Sequence, residues 1–116
     1  MKRIYYLSTC STCKTMMKTM NLSNEVELFD IKHVQIDPAT IDWLKSKVGS
    51  YEALFSKRAV KYKSLSAEEQ PKTDDDFRAL LLTEYTFLKR PFCINGEEVV
   101  IGNSKESAQK AMHLFA

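Results

Sequence analysis

Two cysteines three residues apart, Cys10 and Cys13, are the residues of this 116-residue chain whose type and spacing most directly offer chemistry. A C-x-x-C pair either supplies half of a metal site or cycles between dithiol and disulfide. A closed zinc site takes four ligands, usually from a second C-x-x-C or a close pair of histidines. Here the other soft ligands, Cys93, His33 and His113, stand singly and far apart. No metal is expected, and redox chemistry is the favoured use of the pair. Only a thiolate attacks a disulfide, so the question becomes what would ionise a thiol here.

A helix N-terminus would. Its unsatisfied N–H groups and the positive end of its dipole can bring a thiol pKa from about 8.5 into the range of about 3.5–7.5. The residues around the pair predict that setting. Arg3–Leu7 is a short aromatic and β-branched run that reads as a buried strand. From Ser11 the pattern turns helical, with Cys13, Met16, Met17 and Met20 on one face and Thr9 or Ser11 available as cap. Val26–Ile31 then alternates as a second strand. Cys10 therefore lies at a strand-to-helix junction as the exposed nucleophile. Cys13, one turn into the helix, is placed to resolve a mixed disulfide formed at Cys10. Lys14 adds a cation beside them.

The rest of the chain supplies helices and then a hairpin. Ala39–Val48 carries Ile41, Leu44 and Val48 as an apolar stripe after Asp37-Pro38, with Gly49 as a stop. Tyr51–Phe55 reads as a short helical turn. Thr73 before Asp74-Asp75-Asp76 is a strong helix start, and that helix is expected to continue through Glu84 and Tyr85. Phe92–Ile94 and Val99–Ile101 flank Asn95-Gly96 as a hairpin. Ser104 caps a last helix, Lys105–Leu114, with Ala108, Ala111, Met112 and Phe115 facing inward. Cys93 falls in the apolar strand, where a thiol acts as a small hydrophobe. Arg90-Pro91 precedes it, and an X-Pro bond entering a hairpin is a natural place for a cis peptide.

Composition sets the outer limits. Hydrophobic residues make up 44% and charged residues 28%, as in an ordinary soluble domain. A single domain over 1–116 is expected. No segment approaches the ~20 apolar residues of a membrane span, and the cationic start lacks the apolar run of a signal peptide. The cytoplasm is the expected compartment. Net charge is +2. The cationic cluster of Lys57, Arg58, Lys61 and Lys63 is too small to predict direct nucleic-acid binding.

Three stretches together resemble the ArsC/Spx family, the arsenate-reductase-like branch of the thioredoxin superfamily: I-Y-Y-L-S-T-C-S-T-C-K at 4–14, A-L-F-S-K-R-A-V-K-Y-K-S-L at 53–65, and F-L-K-R-P-F-C-I-N-G-E-E-V-V-I-G at 87–102. The element order β-α-β … β-β-α agrees. The resemblance implies an α/β, thioredoxin-like fold with a helical insertion at about 38–88. It implies too that Arg90 neighbours Cys10 and that Pro91 is cis. Arg58 matches an arginine of the Spx branch and would stabilise a thiolate or anionic substrate alongside Lys14 and Arg90.

The resemblance carries three functions. One is a thiol–disulfide oxidoreductase needing no cofactor beyond an external reductant, glutathione with glutaredoxin or thioredoxin, and working as a monomer. Another is a glutaredoxin-linked arsenate reductase. Those enzymes use one cysteine in a C-x-x-S-R loop after a His, with three arginines around it. Here Cys13, Lys14 and Tyr6 replace the Ser, Arg and His, and Ser56 and Gly102 stand for two of the three arginines. The third is an Spx-like redox-sensing regulator that binds the RNA polymerase alpha subunit.

Overall fold

The computed structural model describes residues 2–115. In chain order its elements begin with β1 (Lys2–Tyr6), α1 (Ser11–Thr19), β2 (Glu27–Asp30) and α2 (Pro38–Val48). A 3-10 turn at Glu52–Leu54, α3 (Val60–Lys63), α4 (Asp74–Leu81) and a second 3-10 turn at Tyr85–Phe87 follow. The chain closes with β3 (Phe92–Asn95), β4 (Glu98–Ile101) and α5 (Lys105–Leu114). No described helix is long and apolar enough to cross a membrane.

The chain divides into two compact units, residues 1–34 with 90–116 and residues 35–89. The first holds a four-stranded sheet in the order β2-β1-β3-β4. β1 pairs with β2 in parallel and with β3 antiparallel, and β3 with β4 antiparallel. The parallel pair follows from the helical crossover, since α1 separates the two strands. On one side of the sheet Ile4 and Cys93, directly paired across β1 and β3, pack with Met16 of α1, Met20 at its C-cap, Val26, and Ala111 of α5. On the other, Tyr5 stacks between Phe29 and Phe92 at 5.0 and 4.6 Å between ring centres. The alternation of side chains along β1 sends neighbouring residues into these two layers.

Local signals hold where they are self-contained. The Thr73 hydroxyl accepts the Asp76 N–H while the Asp76 carboxylate accepts the Thr73 N–H, a closed capping box. Ser104 caps α5 through the Ser107 N–H, and Asp37 caps α2 through the Thr40 N–H.

Some details differ from the sequence reading. The N-cap of α1 is Cys10 itself, not Thr9 or Ser11. α4 stops at Leu81. There Phe87 and Leu88 are taken up in extended contacts with 54–56, as Ser56 N–H donates to the Phe87 carbonyl and Lys89 N–H to that of Leu54, at 2.7 and 2.9 Å. The hairpin register pairs Asn95 with Glu98, so the turn is Gly96-Glu97. Gly96, at φ +63, supplies the left-handed conformation that a type II′ turn needs in its first central residue. Met112 is 46% exposed rather than inward, because Ala111 is the face of α5 that meets the sheet.

The second unit is organised around Phe55, buried against Phe77, Phe87 and Tyr62 with ring centres 5.0–5.3 Å apart. The Asp74 carboxylate accepts the Tyr51 and Glu52 N–H groups, tying the start of α4 to the first 3-10 turn. Arg78 clasps Asp42 through two hydrogen bonds of 2.8 and 3.2 Å, and the Tyr51 hydroxyl donates to the same carboxylate at 2.6 Å. Asp42 is thereby held well below the usual carboxylate range, at about 2. α3, absent from the sequence reading, is a single turn whose Lys61 pairs with Glu84.

Candidate active site

The loop after β1 makes one tight turn and enters α1. The Cys10 N–H donates to the Leu7 carbonyl at 3.0 Å, and the Cys10 carbonyl accepts the Lys14 N–H at 3.2 Å. Cys10 therefore has extended backbone angles while its carbonyl opens the helix. This is the position from which a side chain meets the free N–H groups of the first turn. The turn is braced from β2: the Asp30 carboxylate accepts the Ser8 and Lys32 N–H groups at 3.2 and 3.1 Å. His33 lies exposed at 3.8 Å from Asp30, and the Ser8 hydroxyl with these N–H groups holds the Asp30 carboxyl below its ordinary value.

All three cysteines are free thiols, and their surroundings differ sharply. Cys10 is half-buried, which by itself opposes ionisation. The Cys13 backbone N–H, the Arg90 guanidinium by hydrogen bond and by charge, and the Cys13 thiol together outweigh that penalty, and the Cys10 pKa falls below its usual value. As a neutral thiol Cys10 makes no capping bond. The pull of the N–H is felt by the charged sulfur, as expected for an anion at a helix N-terminus.

Cys13 lies one turn deeper and is fully buried. Burial first, and the negative Cys10 sulfur second, push its pKa up to about 12 against the Leu7 N–H and Arg90. Cys93, fully buried in β3, is also raised to about 12, by burial and then by the neighbouring Cys13. The surroundings favour the charged form at Cys10 and oppose it at Cys13 and Cys93.

The Arg90–Pro91 peptide is cis and enters β3. Its carbonyls are met from the far end of the hairpin: Asn103 Nδ2 donates to the Arg90 oxygen at 3.2 Å and the Gly102 N–H to the Pro91 oxygen at 2.9 Å. The structure thus brings Cys10, Cys13 and Arg90 together. Lys14 is exposed on α1, and the cation that leads at Cys10 is Arg90. Arg58 is exposed and belongs to the other compact unit. Sequence reasoning missed Asp30 and Asn103. The Asx-like spacing of Asp30 to Lys32 was a visible turn signal, whereas nothing local marks Asn103 as a partner of Arg90.

A sheet ordered β2-β1-β3-β4, with a C-x-x-C opening the first helix and a cis-proline just before the third strand, is a thioredoxin-like α/β fold. The sequence matches the ArsC family over residues 5–111, and the chain belongs to that family. Among solved structures it is similar to the YFFB protein, with a TM-score of 0.80 at 18% identity over 97% of this chain and 99% of that one. An arsenate reductase from Vibrio cholerae gives 0.75 at 14% identity, covering 97% and 96%. An ArsC family related protein from Bacteroides fragilis gives 0.73 at 23%, covering 95% and 96%. No curated protein matches the sequence significantly.

Proposed function

We propose that this member of the ArsC family is a thiol–disulfide oxidoreductase in which Cys10 attacks and Cys13 resolves. The observation that carries the reading is the contrast over one helical turn, with Cys10 at the mouth of α1 and lowered in pKa and Cys13 buried and raised. In the first step the Cys10 thiolate bonds to one sulfur of a substrate disulfide, and the other sulfur leaves as a thiolate that takes a proton from water. The mixed disulfide has no charge at Cys10, so the part of the Cys13 shift that comes from that charge is relieved. Cys13 then loses its proton and attacks Cys10 Sγ, releasing the second substrate thiol and leaving a Cys10–Cys13 disulfide. An external dithiol or two glutathione molecules supply the two electrons and two protons that restore the pair. Glutaredoxin or thioredoxin fits that role, in a cytoplasm that keeps thiols reduced.

Arg90 stabilises the charged Cys10 sulfur, and Pro91 leads into β3. Lys14, exposed on α1, is a secondary cation in this scheme. Arsenate as the oxidant is less favoured, because a tetrahedral dianion needs several fixed cationic donors. Gly102, at φ +97, occupies a backbone conformation that an arginine would adopt only with strain.

The test is steady-state reduction of a small glutathione mixed disulfide by the wild-type protein, regenerated by glutathione or by a thioredoxin system, against Cys10→Ser. Turnover lost in Cys10→Ser supports the reading. Equal rates in both proteins would overturn it, and turnover confined to arsenate would transfer it to arsenate reduction.

A further inference from the structure

The guanidinium of Arg90 reaches Cys10 from a segment outside the β1–α1–β2 unit, so something must fix where that segment lies. β3 begins only at Phe92, and Arg90 itself is outside the sheet ladder. Among the hydrogen bonds that hold the segment, two come from the residues between β4 and α5. The Gly102 N–H takes the Pro91 carbonyl and the Asn103 side chain takes the Arg90 carbonyl. Only the amide NH2 of Asn103 can face a carbonyl oxygen, so the side chain acts as a donor there. Asn103 is itself held from both sides. Ser104 caps α5 through Ser107, and the Ser107 hydroxyl donates to the Ile101 carbonyl at 3.0 Å, closing the loop that carries Gly102 and Asn103.

We propose that Asn103 is a positioning residue for the attacking thiolate: its amide fixes the Arg90 carbonyl, and through it the guanidinium that faces Cys10. This rests on reading Cys10 as the attacking thiolate. A residue that merely stabilised the start of α5 would lower the melting temperature and leave Cys10 as it was. One that acts through Arg90 must change how Cys10 ionises, and must cease to matter when Arg90 is gone.

The experiment is the pH dependence of iodoacetamide alkylation at Cys10, followed on the Cys10 peptide by mass spectrometry, with thermal melts in parallel. The proteins are the wild type, Asn103→Ala, the near-isosteric Asn103→Leu, Arg90→Gln, and Arg90→Gln with Asn103→Ala. Both Asn103 variants should move the midpoint up by about half a pH unit, an about threefold loss of thiolate at a fixed lower pH. Arg90→Gln should move it further, and adding Asn103→Ala to Arg90→Gln should change nothing more. An unchanged midpoint in the Asn103 variants, with a raised one in Arg90→Gln, overturns the role of Asn103 and leaves the Cys10 reading standing. An equal shift from Asn103→Ala with and without Arg90 overturns the route through Arg90. A wild-type midpoint no lower than that of a free thiol overturns both.

Discussion

Cys13 lies one helical turn below Cys10 with no exposed surface, and both its backbone N–H and its thiol favour charge on the Cys10 sulfur. The second cysteine of the motif therefore acts on the first in three ways: as backbone, as hydrogen-bond donor and as the future attacking group. That relationship separates substitutions which a bare motif would treat as equivalent.

The first prediction concerns selectivity among the thiols. In the reduced protein at neutral pH, Cys10 should be alkylated well before Cys13 or Cys93, because it is the one held below its ordinary pKa and partly open to solvent. Peptide mapping after a short iodoacetamide pulse reads this directly. Labelling of Cys93 as fast as Cys10 would show that the charge separation is absent.

Replacing Cys13 should split two effects. Cys13→Ser and Cys13→Ala both remove the resolving sulfur, so a mixed disulfide should accumulate at Cys10 in either, seen as a stable mass adduct. Cys13→Ala also removes the side-chain donor to the Cys10 sulfur, whereas serine keeps a hydroxyl there. The alkylation midpoint of Cys10 should accordingly rise in the alanine variant above that of the serine variant. Identical midpoints would leave the Cys13 backbone N–H and Arg90 as the whole cause.

Stability of the reduced protein should decline in alkali. The buried Cys13 and Cys93 keep their protons up to about 12, while in the unfolded chain they ionise near the ordinary thiol value. Over that window the folded state binds more protons, so unfolding becomes easier as pH rises, by up to about 1.4 kcal/mol per pH unit for each fully buried thiol. Cys10, with a lowered value, contributes with the opposite sign: its stabilisation is present above the unfolded thiol value and is lost as pH falls through the folded one. Urea unfolding at pH 8 and pH 10.5 should show a shallower decline for Cys93→Ala than for wild type, from a starting stability lower by about 1 kcal/mol. Parallel declines would mean that Cys93 is already ionised in the folded state.

Asp30 should prove to be the brace of the cysteine loop. Its carboxyl is held low by the Ser8 hydroxyl and by the Lys32 and Ser8 N–H groups. The stabilisation is present above the ordinary carboxylate range and is lost as pH falls through the depressed folded value. Asp30→Ala should cost about 1 kcal/mol, less than a buried charged hydrogen bond because the site is partly wet. The more specific readout is amide exchange: the Ser8 N–H should lose protection in the variant while β1 amides keep theirs. Unchanged protection at Ser8 would remove Asp30 from the loop.

The sequence by itself determined whatever depends on near neighbours along the chain. The caps at Thr73 and Ser104 stand where the residue types put them, since a capping side chain needs only the N–H groups two or three residues on. The C-x-x-C at the mouth of α1 was legible for the same reason, as was the apolar face of Met16 and Met20. Tertiary contacts decided the remainder. α4 yields its last turn because Phe87 and Leu88 gain more from packing and pairing with 54–56 than from further helix. The hairpin turn moves by one residue to keep Phe92 opposite Ile101, a register set by which faces are buried. Above all, the hold of Asn103 on Arg90 has no local signal, and the nearness of Arg90 to Cys10 was legible only through the family resemblance. A charge acts through space at a few ångströms, and which distant residues come that close is fixed only when the strands pair.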